Sequence, residues 1–205
     1  MLTLYDYLDS GNGYKVRLLL ALAGTPYRLV ELDIDKGETH TPEFLAKNPN
    51  GRVPALELSD GAVLAESDAI LFYLALGTTY WPADPWLQAQ VLQWMFFEQY
   101  SHEPNVATPR YWLRHGHLTE ARKPQLAEKQ EKGRAALQVM DDHLARRDWF
   151  VGRGATIADL ALYAYTHVAE QGGITLAPYT NVNAWLRRVA ALPGYVPMDA
   201  RPDAG

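Results

Sequence analysis

The first 77 residues alternate between strand-like and helix-like periodicity, and that alternation leaves few folds open. Leu2-Thr3-Leu4-Tyr5 alternates with period two, as a short strand does. Asp9-Ser10-Gly11-Asn12-Gly13 has loop chemistry, and from Tyr14 the pattern turns helical. Val16, Leu19, Leu20 and Ala23 recur at helical spacing, while Leu18 and Leu22 add a second apolar face, so this helix is covered on two sides. Gly24 and Pro26 stop it. Tyr27 to Leu32 is rich in strand formers. Thr41-Pro42-Glu43 supplies an N-cap, a proline at the first helical position and an acid in the first turn, and the short helix it starts runs through Lys47. Val53 to Leu58 and Ala62 to Ala65 read as strands joined at Ser59-Asp60-Gly61, a strong hairpin signal. Ser67 to Leu76 is a helix ended by Gly77. The order β-α-β-α-β-β-α predicts an α/β domain over residues 1–77.

Beyond it the pattern changes. Residues 78–85 contain two prolines and little periodicity and form the natural linker, and residues 86–205 read as all helical. Leu87, Val91, Trp94, Met95 and Glu98 lie on one long helix, which Pro104 must kink or end. Pro124 suits the first turn of a second long helix through Leu144, closed by Arg146-Arg147. Thr156-Ile157-Ala158-Asp159 has the spacing of a capping box, opening a helix that Gly172-Gly173 ends. The last helix spans Asn181 to Leu192 and halts at Pro193-Gly194.

Composition excludes several functions. A net charge of −5 without a Lys/Arg run argues against a nucleic-acid partner. No stretch approaches the roughly 20 apolar residues that cross a bilayer. Asp6 and Asp9 interrupt the start, which also lacks a basic region, so a signal peptide is not expected and the reading is an intracellular, cytoplasmic protein without membrane contact. With no cysteine, disulfides, thiolate metal sites and a protein-borne catalytic thiol are all out. The six histidines are scattered. Only His115-Gly116-His117 is close-spaced, and without further ligands it reads as a polar loop, so no metal is expected.

The candidate site lies in Asn48-Pro49-Asn50-Gly51-Arg52-Val53-Pro54, with Glu66-Ser67 twelve residues on. Proline in a strand sits at an edge, a bulge or the first position. A cis bond at Pro54 would turn the N–H and C=O of Val53 outward, toward an extended peptide. Glu66-Ser67 sets a carboxylate beside a helix N-terminus, suited to the ammonium and carboxylate of one amino acid. Locally, a small-peptide site and an ordinary turn followed by a cap stand equally open.

Taken with the two-part organisation and the Thr156–Asp159 box, these motifs resemble the cytosolic glutathione transferase family, and the resemblance covers essentially the whole chain. It implies a thioredoxin-like N-terminal domain, an all-α C-terminal domain and a homodimer. By the resemblance, Val53 pairs its backbone with the cysteinyl unit of glutathione and Pro54 is the family's cis-proline. Glu66 and Ser67 hold the γ-glutamyl end, and Arg52 suits the glycyl carboxylate, which His40 also reaches. The catalytic corner is Ser10 to Val16, similar to bacterial members and Ser-type classes. Ser10 and Asn12 are its candidate thiol-activating donors. Asn12-Gly13 with Lys15-Val16 resembles a bacterial subgroup that favours disulfide exchange, while Tyr5 and Tyr7 are weaker candidates because both fit a strand and its exit. Phe96, Phe97, Tyr100, Tyr111 and Trp112 read as core or dimer residues, and the resemblance implies that some line the electrophile's pocket. The implied activity is a detoxifying transfer of glutathione, as co-substrate, to a small electrophile. The alternatives are glutathione-dependent disulfide reduction and a noncatalytic binding or dimerising module.

Overall fold

The structure, a computed structural model, describes residues 1–202 and forms two compact units. The first comprises residues 1–78 together with the segment from Leu192 onward; the second comprises residues 79–191.

The first unit is built on a four-stranded mixed sheet in the order β2-β1-β3-β4. Its strands are β1 (Leu2–Asp6), β2 (Tyr27–Glu31), β3 (Ala55–Glu57) and β4 (Val63–Ala65). Strand β1 runs parallel to β2 and antiparallel to β3, which pairs antiparallel with β4. The β3–β4 hairpin closes at Ser59-Asp60-Gly61 as expected, with Leu58 N–H donating to Ala62 O at 2.8 Å. Helices α1 (Gly11–Leu22), α2 (Pro42–Leu45) and α3 (Ser67–Ala75) complete the order predicted from the pattern. Leu4, Val16, Leu20, Leu56 and Ile70 make its apolar core, to which β1, α1, β3 and α3 all contribute. This is a thioredoxin-like unit.

Helix α1 begins earlier than the periodicity indicates, at Gly11 rather than Tyr14. Ser10 is its N-cap, accepting from Gly13 N–H at 3.3 Å. Two glycines in the first turn hide that start from a propensity reading. Gly13 is required by close approach, since a Cβ there would lie 1.6 Å from Asp6 Oδ1.

The sequence reading carries the helical half to residue 205, but the chain from Leu192 packs with the first unit instead. Tyr14 Oη donates to Val196 O at 2.8 Å, and Arg17 reaches the carbonyls of Met198 and Ala200. Arg201 pairs with Glu31 at 3.0 Å. Carbonyls in an irregular segment need donors, and the buried Arg17 and Tyr14 supply them.

The second unit is helical: α4 (Pro85–Phe97), α5 (Glu103–Arg114), α6 (Lys123–Leu144), α7 (Ile157–Thr166) and α8 (Thr180–Ala190). Pro104 does not end the long helix. A π turn over Glu98–His102 joins α4 to α5 and leaves Pro104 in α5's first turn, the part of a helix that best tolerates proline. The core gathers on Trp94, Phe150 and Trp185, with ring centroids 4.6 Å apart for Trp94–Phe150 and 5.1 Å for Phe150–Trp185.

The capping box at α7 is formed as its spacing predicts. Fully buried Asp159 accepts from Thr156 N–H at 2.8 Å and Thr156 Oγ1 at 3.1 Å. It also accepts from Phe150 N–H at 3.1 Å and from Trp185 Nε1 at 3.0 Å. One carboxylate therefore ties the α7 start to the preceding loop and to α8. Asp159→Ala strands several buried donors and is expected to destabilise the protein by about 3 kcal/mol. Thr156→Ala should cost about 1 kcal/mol. Urea unfolding of both variants measures this, and equal losses would mean that the box is only a local cap.

Candidate functional site

The sheet register assembles the site. Tyr5 faces Ala55, and Ala55 faces Ala65. The exit of β1, the entry to β3 and the exit of β4 therefore share one end of the sheet. From that end leave the Ser10 turn into α1, the loop ending at Val53-Pro54, and the Glu66-Ser67 entry to α3.

The 48–54 loop is fixed by its own polar groups. Asn48 Nδ2 donates to Arg52 O at 2.7 Å, Asn48 Oδ1 accepts from Asn50 N–H at 3.1 Å, and Gly51 N–H donates to Asn48 O at 2.9 Å. The Val53–Pro54 peptide bond is cis. His40 packs against Gly51, where a Cβ would meet its Nε2 at 3.0 Å; with φ +63° the position also favours glycine. Arg52 and His40 are both exposed at this corner.

Glu66 precedes α3 with φ 69° and ψ 116°, a positive φ in a residue that has a Cβ. Such a conformation costs of order 1–3 kcal/mol, and glycine, without a Cβ, would meet less of that cost. The residue that takes this conformation carries a charged, exposed side chain. Ser67, next in the chain and buried, opens α3.

The α1 and α3 N-termini meet through side chains. Ser67 Oγ lies 3.5 Å from Asn12 Oδ1, to which it donates. Lys15, wholly buried, donates from Nζ to Ser67 Oγ and to Asp68 Oδ1, both at 3.3 Å. Asp68 Oδ2 is buried and has no hydrogen-bond partner among the described residues. The sequence places Lys15 in the corner Ser10 to Val16 and Asp68 directly after Glu66-Ser67 but assigns neither a role. The available signal was a lysine on a helix read as apolar on both faces, because a cation there is either buried and paired or disrupts the packing.

Beneath this corner, Asp6 and Arg17 form a buried ion pair at 2.8 Å. Burial pushes the Asp6 carboxyl up to about 6, while the Arg17 guanidinium acts to lower it. Arg17 also donates to Leu8 O at 2.6 Å, and Ser10 N–H donates to Tyr7 O at 2.7 Å, so the turn carrying Ser10 is held at its base.

The structure thus brings Asn12 and Ser67 into contact, with Glu66 preceding Ser67, while the loop that carries Arg52, Val53 and Pro54, against which His40 packs, leaves the same end of the sheet. Ser10 spends its oxygen on the α1 cap but keeps a hydroxyl proton to donate. Tyr5 is committed elsewhere: its hydroxyl donates to Glu57 Oε2 at 2.7 Å, an oxygen that Lys47 shares at 2.7 Å. His115 and His117 stack with Tyr111, at ring-centroid distances of 5.0 and 4.8 Å. Among the described residues no group of three or more His, Cys, Asp or Glu side chains could hold a metal.

Residues 1–76 match the family model for the glutathione S-transferase N-terminal domain, and residues 92–193 match that for the C-terminal domain. The chain belongs to the glutathione S-transferase family. Among solved structures, a glutathione S-transferase from Pseudomonas fluorescens Pf-5 shares 48% identity with a TM-score of 0.94, covering 96% of this chain and 98% of that one. Ure2p in complex with glutathione shares 29% identity with a TM-score of 0.85, over 94% and 90% of the two chains. Among characterised proteins, the disulfide-bond oxidoreductase YfcG of Escherichia coli K12 is 30% identical over 201 residues, 94% of this chain and 92% of its own length.

In this glutathione S-transferase family member, the strain at Glu66 gives a direct check. Glu66→Gly is expected to leave stability unchanged or raise it by up to about 1 kcal/mol, because glycine relieves the positive φ. Thermal unfolding reads the result. A loss above 1 kcal/mol would make Glu66 a structural residue.

Proposed function

We propose that the protein binds glutathione, stabilises its thiolate and transfers it to a small electrophile. The observation that carries this reading is the meeting of the α1 and α3 N-termini, through Asn12 and Ser67 at 3.5 Å, beside the cis Val53–Pro54 loop. Glu66 and Ser67 suit the ammonium and carboxylate of the γ-glutamyl end at a helix N-terminus. Val53 offers its backbone to the cysteinyl unit, in the manner of an added strand. Arg52, a permanent cation with several donors, suits the glycyl carboxylate, with His40 beside the same loop. Ure2p, a relative of matching fold, is known in complex with glutathione, which supports the same ligand here.

The chemistry follows from thiol acidity. The thiolate is the nucleophile, and a free thiol titrates near 8.5. A hydroxyl donor from Ser10, an amide donor from Asn12 and the positive end of α1 favour the charged sulfur. Together they account for about one to two units of depression, each worth roughly 1.4 kcal/mol. The proton leaves to solvent, the sulfur forms a bond to the electrophilic carbon, and any displaced group departs with its electron pair.

A second reading is favoured by the similarity to YfcG, whose name is that of a disulfide-bond oxidoreductase. In that chemistry the bound thiolate attacks the sulfur of a mixed disulfide, forming glutathione disulfide and releasing the other thiolate. The chain has no cysteine, so every reacting sulfur belongs to glutathione or substrate. A noncatalytic module is the third possibility, and the strained Glu66 speaks against it because a purely structural role has no need of a carboxylate there. The reading includes a homodimer, supported by large apolar side chains left exposed in each unit, Phe72 and Tyr73 on α3 and Trp86 and Phe96 on α4.

Ser67→Ala should weaken glutathione binding about 10- to 100-fold, the worth of a hydrogen bond to a charged group. Calorimetric titration reads this, and no saturable binding by the wild type would remove both enzymatic readings. Ultraviolet titration of the bound thiol in Ser10→Ala and Asn12→Ala should raise its pKa in at least one variant. If neither moves it, the activating donors lie elsewhere. Conjugation of a chloronitrobenzene run beside reduction of a glutathione mixed disulfide separates the two chemistries.

A further inference from the structure

We infer that Lys15 is a positioning residue that turns Ser67 into a directed donor for the α-carboxylate of the bound γ-glutamyl head. The inference rests on the glutathione reading and names the residue behind its head-group recognition.

Lys15 is wholly buried, and a buried ammonium is kept only where its surroundings repay the lost hydration. Its position makes that demanding. Lys15 leaves the second turn of α1 with its side chain directed toward that helix's N-terminus, and its Nζ ends at the first two residues of α3. Both helices present their positive ends here, so the ammonium works against both dipoles. Asp68 offsets part of this through one oxygen at 3.3 Å. The corner gathers the ammonium and two helix N-termini beside the part-buried Asp68 and exposed Glu66 carboxylates, and the helix N-termini remain able to receive an anion.

The route to the ligand runs through Ser67. Its oxygen accepts from Lys15 Nζ at 3.3 Å, so the hydroxyl proton is turned away from the lysine. That proton has Asn12 Oδ1 as acceptor, at 3.5 Å, the long limit of a hydrogen bond. A carboxylate is a stronger acceptor and forms a shorter, charge-assisted bond. Lys15 thus fixes which way Ser67 donates and polarises the hydroxyl that does so, without touching the ligand itself.

The alternative is a plain buried ion pair, with Lys15 serving only to neutralise Asp68. The two accounts separate with two ligands: glutathione and its analogue lacking the α-carboxylate, in which 4-aminobutanoyl replaces the γ-glutamyl group. Calorimetric titration of the full chain with both, for wild type, Lys15→Met, Lys15→Arg and the double variant Lys15→Met/Asp68→Asn, is the experiment. The double variant removes both charges, which guards against a fold lost to an unpaired buried carboxylate. Wild type should prefer glutathione over the analogue by about tenfold or more. Lys15→Met should erase that preference while binding the analogue within about twofold of wild type, the double variant should stay equally indifferent, and Lys15→Arg should recover the preference. Equal weakening for both ligands, or a double variant that regains the wild-type preference, overturns the inference and leaves the glutathione reading intact. A wild type that binds neither ligand overturns that reading and the inference with it.

Discussion

The antiparallel pairing of β3 with β1 on one side and β4 on the other is the constraint on which the rest depends. Because Ala55 faces both Tyr5 and Ala65, three chain segments far apart in sequence emerge at one end of the sheet. A one-residue slip in either pairing would turn every side chain of the slipped strand to the opposite face and disperse the corner. Leu4 and Leu56 protect that register, since a one-residue slip of either strand would turn its buried leucine away from the core.

Electrostatics then divides the corner into two layers. The lower one is the Asp6–Arg17 pair, which ties the base of the Ser10 turn to α1 and to the carbonyls of the segment from Leu192. Gly13 belongs to this layer, because only a residue without Cβ lets the Asp6 carboxylate press against α1. The upper layer is Asn12, Lys15, Ser67 and Asp68, where two helix N-termini and one buried cation set a positive field under exposed Glu66. On the proposed reading the lower layer holds geometry and the upper one meets the ligand, so substitutions in the first should act through stability and those in the second through affinity.

Much of this was legible in the sequence, for reasons that can be named. The element order of the first unit followed from periodicity, and the Asp60-Gly61 hairpin and the Thr156–Asp159 box followed from local chemistry that tertiary context did not override. The motif around Val53-Pro54 and Glu66-Ser67 was readable because order and spacing carry it. What escaped was everything decided by partners distant in the chain. The α1 start was missed because two glycines mask a cap whose first turn is shaped by Asp6. Pro104 reads as a kink or an end, and the structure excludes only the end, because a π turn, which no local signal marks, carries the helix into α5. The attachment of residues 192–202 depends on Tyr14 and Arg17, more than 180 positions away. Lys15 lies within the corner that the resemblance marks, but its partners Ser67 and Asp68 come from α3, more than 50 positions away.

The central claim is that this corner holds a free amino-acid head at the α3 N-terminus and so recognises a γ-linked tripeptide. Glutathione has that head because its glutamate is joined through the side chain, whereas the ordinary α-linked Glu-Cys-Gly has the same composition without it. Calorimetric titration of the wild-type protein with the two isomers tests the claim most directly. The account predicts saturable binding of the γ-linked isomer and at least about tenfold weaker binding of the α-linked one, since the head's charged hydrogen bonds are lost. Equal affinity for the two would contradict it.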